Sequence, residues 1–252
     1  MPTTSFHNPM MPRLIARLDI KNEYVIKGIH LEGLRKVGDP LELATQYYKQ
    51  GVDEILFMDA VASLYDRNNI FEIMRKAAKK SFIPIAIGGG IRSIDDAYKA
   101  LDAGADKIVI NTSAINDIRI VEKVSSRFGS QAMIASIEAE QTHPNQWEAY
   151  IDNGREPTGL DALSWSKSLV SAGAGEIIVT SVDYEGTKKG FDIELATKII
   201  PNTSIPVIIS GGCGKLSHIN ELIEKCEPSG IAIASCFHYH VFTPKIAKAS
   251  IK

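Results

Sequence analysis

What the chain lacks sets its first bounds. Cysteine is scarce: Cys213, Cys226 and Cys236 make an odd number with no C-x-x-C pair, which fits a reducing compartment, here the cytoplasm, better than a disulfide framework. Net charge is scarce too, at −2 over 252 residues, so nothing draws the molecule in bulk to nucleic acid or to a membrane, and any anionic ligand must be held locally. No apolar run approaches the roughly 18 residues of a membrane helix. The opening MPTTSFHNPMMPR lacks the charged-then-apolar order of a signal peptide. Residues 1–11 read as a disordered extension, with Met10 or Met11 as an alternative start, and 12–252 as a single domain. Metal-ligand clusters are also wanting. His238 and His240 flank Tyr239 with no third ligand beside them, and such a pair packs or caps more often than it binds an ion, so neither metal nor cofactor is expected.

What is present is an alternation. Short Ile- and Val-rich runs are followed by longer amphipathic ones: Arg13–Asp19 then Pro40–Gln50, Glu54–Met58 then Asn69–Lys80, Pro84–Ile87 then Ile94–Ala103, Lys107–Ile110 then Asp117–Phe128. The series continues with Ala132–Ile137 then Asp161–Ala172, Glu176–Ser181 then Asp192–Ile200, Pro206–Ile209 then His218–Lys225, and Ile231–Ala234 then Pro244–Ser250. Continuous apolar runs are strands buried on both faces, and helices between them imply a parallel sheet. Eight such units in about 250 residues predict a (β/α)8 barrel, with an open doubly wound sheet as the competing architecture. The segment WEAYIDNGRE at 147–156 alternates like an inserted hairpin strand that folds over the mouth.

The chain also repeats itself. IPIAIGGGIR at 83–92 and IPVIISGGCG at 205–214 are near copies, and a shift of 123 positions lays Gly88 and Gly89 on Gly211 and Gly212. Shifts of 122 and 119 lay Glu54 on Glu176 and Asp19 on Glu138. The barrel therefore reads as two homologous half-barrels, with the glycine turns on opposite sides of its mouth. Glycines at a strand end, followed by a helix start capped by Ser93, let an anion approach free backbone amides. Gly89 and Gly90 with Asn111 and Thr112 form one expected phosphate cradle, and Gly211 and Gly212 with Ala234 and Ser235 the other. Glycines that merely make tight turns are the plainer alternative for either one alone. Two cradles predict a ligand phosphorylated at both ends. Between them, Asp19 and Glu138 end strands one and five, where barrel enzymes place acid and base groups; capping or pairing with a lysine is the competing use of such carboxylates. Asp59, Asp183 and Glu185 end other strands and are candidates for ligand hydroxyls.

The stretch RLIARLDIKNEYVIKGIHLEGLRKVGDPLELA, with DEILFMDAVAS, PIAIGGGIRS, GADKIVINTSAI, GAGEIIVTSVDYEGTKKGFD, ISGGCGK and ASCFH, resembles the cyclase subunit of imidazole glycerol phosphate synthase from Pro12 to His238. The resemblance implies a lyase of histidine biosynthesis. Its substrates would be a doubly phosphorylated ribulosyl-formimino-aminoimidazole-carboxamide ribonucleotide and ammonia, the latter conducted through the barrel from a HisH-type glutaminase on the N-terminal face. It implies Asp19 and Glu138 as the acid–base pair and Lys27 as the ligand-contacting lysine of the first loop. Asp183, Glu185 and Gly186 fall in its binding stretch, and Arg13, Glu54, Lys107 and Glu176 form a charged gate at the barrel floor. A salt-bridge ring that only stabilises that floor is the plainer reading of those four.

Three positions depart from the family pattern. Glu138 and Glu185 stand where it has Asp, and a methylene's shift of about an ångström can lower a rate on the order of a hundredfold. Arg17 stands where a small or neutral residue is usual. It shares a strand face with Asp19, so an inward Arg17 needs a buried partner, for which Glu138 is a candidate that would then be held as a carboxylate. Paralogues in bacterial surface-sugar clusters, which deliver glutaminase-derived ammonia for amidino groups, and a non-catalytic ammonia-conducting scaffold are the two alternative functions the resemblance leaves open.

Overall fold

Runs such as Arg13–Asp19 and Glu176–Ser181 are buried on both faces, so each needs cover on both sides, and the helix that follows supplies the outer layer. The computed structural model, which describes residues 11–60 and 70–251, closes this pattern into a barrel. In chain order the strands are β1 (Arg13–Lys21), β2 (Tyr24–Ile29), β3 (Glu32–Gly38), β4 (Glu54–Asp59), β5 (Ile85–Gly88), β6 (Lys107–Ile110), β7 (Met133–His143), β8 (Gln146–Ile151), β9 (Glu156–Asp161), β10 (Glu176–Ser181), β11 (Val207–Ser210) and β12 (Gly230–Ile233). The helices are α1 (Pro40–Lys49), α2 (Ile70–Ala78), α3 (Ile94–Asp102), α4 (Thr112–Asn116), α5 (Arg119–Phe128), α6 (Ala162–Ser171), α7 (Ile193–Ile199), α8 (Leu216–Cys226), α9 (Ser235–His238) and α10 (Pro244–Ser250). β1, β4, β5, β6, β7, β10, β11 and β12 form a parallel ring, completed by β7 against β10 (Ile134 beside Glu176) and by β12 against β1 (Gly230 beside Arg13). This is the expected (β/α)8 architecture. Residues 1–10 of the expected extension, and Asn69 at the start of the second expected helix, lie outside the described residues.

Side chains inside the ring are layered by the period of two along each strand. One apolar side chain per strand makes a middle layer: Ile15, Leu56, Ala86, Val109, Ile134, Ile178, Ile208 and Ala232. Arg13 lies one step below it on β1, and Arg17 and Asp19 lie one and two steps above. The alternate residues Leu14, Ala16 and Leu18 face outward into the larger core shared with the helices. The start of α3 follows the expected capping chemistry. At α3, Ser93 Oγ accepts from Asp96 N at 3.1 Å while Asp96 Oδ2 accepts from Arg92 N at 3.1 Å, so two free amides are satisfied reciprocally.

The first strand of each half is the long one. β1 has nine residues and β7 eleven; the other ring strands have four to six. Each continues above the rim into an antiparallel flap, β1 into β2 and β3, β7 into β8 and β9. The second flap contains the expected hairpin strand, turning at Asp152, Asn153 and Gly154 with φ of 52°, 62° and 71°, the left-handed conformations that Asn and Gly tolerate best. The first flap, like the short helices α4 and α9, goes beyond the expected elements. Most of β3 is exposed and shows no alternation of burial, so its sequence carries no strand period.

Candidate active site

At the floor, Arg13 donates to Glu54 Oε2 at 2.5 Å and to Glu176, and Lys107 Nζ donates to Glu54 Oε2 at 2.9 Å and Glu176 Oε2 at 3.0 Å. All four expected ring members are thus brought into one closed circuit, each cation touching both anions. Burial pushes the Glu54 carboxyl up from its ordinary value, and Lys107 and Arg13 pull it back. The circuit lies directly beneath the apolar middle layer and forms its polar underside.

At the mouth, the two glycine turns face one another across the ring. Gly89 (φ 87°) and Gly212 (φ 95°) hold left-handed conformations. A Cβ would lie 2.3 Å from Asp59 O at Gly89 and 1.8 Å from Gly190 O at Gly212, so both positions demand glycine twice over. A cavity of 280 Å³ opens at the first cradle, lined by Gly89, Gly90, Asn111 and Thr112 and also by Arg17 and Glu138. The second cradle, with Gly186, Gly211, Gly212, Ala234 and Ser235, is a narrow cleft of about 10 Å³ that Glu185 also lines. The Glu185 carboxylate lies 3.2 Å from where a Gly211 Cβ would stand.

Between the cradles the two acids sit in opposite surroundings. Asp19 accepts from Arg17 Nε at 2.8 Å and from Lys27 Nζ at 3.3 Å. Burial would raise its carboxyl, but the two cations outweigh it and hold the group at about 2. Glu138 accepts from Asn111 Nδ2 at 3.1 Å and from the Gly154 amide at 2.8 Å. Burial dominates there and pushes its carboxyl up to about 7. Arg17 does face inward, but the candidate partner Glu138 is corrected: the hydrogen bonds of Arg17 go to Asp19, to Thr180 Oγ1 at 2.8 Å and to Ser210 Oγ at 3.1 Å, and only its charge acts on Glu138. The reason is strand geometry, since Asp19 is two residues along the same strand and β10 and β11 supply the hydroxyls, whereas Glu138 is already held by Asn111 and the second flap. Lys27, on β2, is buried and pairs with both Asp19 and Glu185; burial lowers its ammonium from its ordinary value. Two cations and two anions therefore balance inside the mouth, which is what buried charge requires.

A family model described as histidine biosynthesis protein matches residues 13–243. The subunit HisF of imidazole glycerol phosphate synthase from Legionella pneumophila is 55% identical over 208 residues, 82% of this chain and 98% of that protein. The HisF subunit of Bacillus cereus (strain G9842) is 42% identical over 240 residues, 95% of each. The chain belongs to the HisF family. It is an enzyme of histidine biosynthesis of the imidazole glycerol phosphate synthase cyclase kind.

Within this HisF fold some expected residues stand apart. The Asp183 carboxylate accepts from Gln141 N at 2.8 Å, tying β7 to the loop after β10, and Asp183 lines neither cradle. Asp59 lines the first cavity. His238 is buried against Tyr47, whose hydroxyl lies 2.8 Å from Nδ1, and burial lowers its imidazole to about 4; it packs. Among the described residues no group of three or more His, Cys, Asp or Glu side chains could hold a metal ion, and no helix is long and apolar enough to cross a membrane. Sequence reasoning missed Gly154 and Asn153, although the D-N-G turn at 152–154 signalled their place. Asn153 Nδ2 donates to Leu31 O at 3.1 Å, clasping the second flap to the first.

Proposed function

We propose that the chain combines ammonia with a bis-phosphorylated ribulosyl-formimino-aminoimidazole-carboxamide ribonucleotide, yielding imidazole glycerol phosphate, the aminoimidazole-carboxamide ribotide and water. One phosphate rests on Gly89, Gly90, Asn111 and Thr112, the other on Gly186, Gly211, Gly212, Ala234 and Ser235. The observation that carries this reading is the pair of acids of opposite character between two opposed cradles. Glu138, at about 7, exchanges a proton near neutral pH, while Asp19, at about 2, stays ionised and stabilises positive charge as the nitrogen nucleophile adds. Lys27 and Glu185 occupy the middle of the mouth and part as the ligand enters. Ammonia comes from a HisH-type glutaminase on the N-terminal face, passes the ring of Arg13, Glu54, Lys107 and Glu176, and follows the apolar axis. Residues 12–252 act as one domain, and three unpaired thiols suit a cytoplasmic setting.

The test is steady-state turnover of that ribonucleotide with ammonium chloride, alongside complementation of a histidine auxotroph lacking the cyclase. Turnover that disappears in Asp19→Asn, together with complementation, supports the reading. A folded wild-type chain that binds the glutaminase but neither turns over the ribonucleotide nor complements overturns it, and favours ammonia delivery to a surface-sugar amidotransferase or a purely conducting scaffold.

A further inference from the structure

The cavity of the first cradle has a floor that neither the cradles nor the acid pair accounts for. Arg17 is 3% exposed, lines that cavity, and spends its guanidinium unevenly. Nε is taken by Asp19 and Nη1 by Thr180 and Ser210. Nη2 makes no hydrogen bond among the described residues, yet it is not one of the fully enclosed atoms without a partner, which are Asn111 Oδ1 and His238 Nε2. The remaining donor edge is therefore reached from the cavity, and three hydrogen bonds to three strands hold the plane that carries it.

A planar cation fixed in this way has a definite taste. A guanidinium only donates and cannot be deprotonated, so the ligand group it meets must be an acceptor, and a cationic amine there is repelled. The acceptor lies between the phosphate ends, because Arg17 stands on β1, two residues below Asp19, and faces the cavity that Glu138 shares. We propose that Arg17 is a specificity-determining residue of this site, whose free Nη2 donates to a carbonyl, hydroxyl or enolate oxygen on the middle of the bis-phosphorylated ligand. This rests on the cyclase reading above and adds to it the side chain that reads the ligand's central oxygen. The Asp19 pair has a second use here: it neutralises the guanidinium, so that a neutral oxygen is accepted without a counter-charge from the ligand.

Arg17→Met removes the donor while nearly preserving length, and Arg17→Lys keeps the charge but not the planar fork. With ammonium chloride as nitrogen source, so that the axis and the glutaminase play no part, both are expected to raise KM for the ribonucleotide roughly 10- to 100-fold, the range of one charge-assisted hydrogen bond. Affinity for inorganic phosphate, which needs only the cradles, is expected to hold within about twofold. Arg17→Ala is expected to regain turnover on addition of methylguanidinium. KM unchanged in both folded variants overturns the inference, as does an equal loss of phosphate and ribonucleotide affinity, which marks Arg17 as merely structural. If Arg17→Met fails to fold, Arg17→Lys and the methylguanidinium response of Arg17→Ala decide alone, a flat response overturning it. A wild-type chain without turnover refutes the cyclase reading instead, and is recognised before any variant is made.

Discussion

At the scale of single residues, burial without a hydrogen-bonded cation sets Glu138 apart from Asp19, the Arg17 charge only partly offsetting it. Turnover supported by ammonium salt should rise or fall through an apparent pKa near 7 in the wild type, the value burial gives Glu138, and Glu138→Gln should remove that limb and lower kcat at least a hundredfold. Stability carries the same signature with a definite sign. A carboxyl raised from 4.5 to about 7 in the fold contributes stability that is complete below about 4.5 and is lost as pH rises through about 7. Thermal scans should therefore find Glu138→Gln gaining on the wild type between pH 5 and pH 8; a constant difference would contradict the assignment. Asp19 behaves oppositely, its contribution present above its ordinary 3.8 and lost as pH falls toward about 2. Which carboxylate would take Arg17 was not legible in the sequence. The period of two showed that Arg17 faces inward, but the choice of partner depends on where the second flap places Gly154 beside Glu138.

At the scale of elements, legibility followed periodicity. β6, β10 and α10 match their expected limits, because an unbroken apolar run or an amphipathic turn of 3.6 leaves one reading. β2 and β3 did not read as strands, since a flap half in water and half over a polar mouth has no consistent face. The glycine turns were legible, their side-chain-free approach being a matter of residue type alone. Gly212→Ala should lower the melting temperature by roughly 5–10 °C, from positive φ and a clash with backbone, and abolish phosphate protection of the second cradle. Gly51→Ala is the control, at φ 86° with nothing within 4 Å of its Cβ. It bears the strain without the clash, so its smaller shift measures the conformational part. Equal shifts would mean that Gly190 yields to the new methyl group.

At the scale of the molecule, the duplicated half-barrel puts one cradle, one acid and one long strand on each side of a common axis, while the floor draws on both halves for a single circuit. Arg13, Glu54 and Lys107 come from the first half and Glu176 from the second. Glu54 is 1% exposed and takes both cations, so Glu54→Gln should weaken the fold by about 3–5 kcal/mol in guanidinium titrations, as breaking a buried pair does. Arg13, a third exposed, should matter less when replaced by Met. If both variants unfold at the wild-type denaturant concentration, the circuit is a surface ornament rather than part of the barrel's closure.

The clasp between Asn153 and Leu31 binds the halves at the other end as well. Lifting one flap while the other stays down breaks this hydrogen bond at a cost of about 0.5–1.5 kcal/mol, which favours joint opening of two hairpins rooted on opposite walls. Where departure of two products from under that shared cover limits turnover, a chain relieved of the clasp by Asn153→Ala is expected to let them go separately, its turnover less sensitive to the viscosity of the medium.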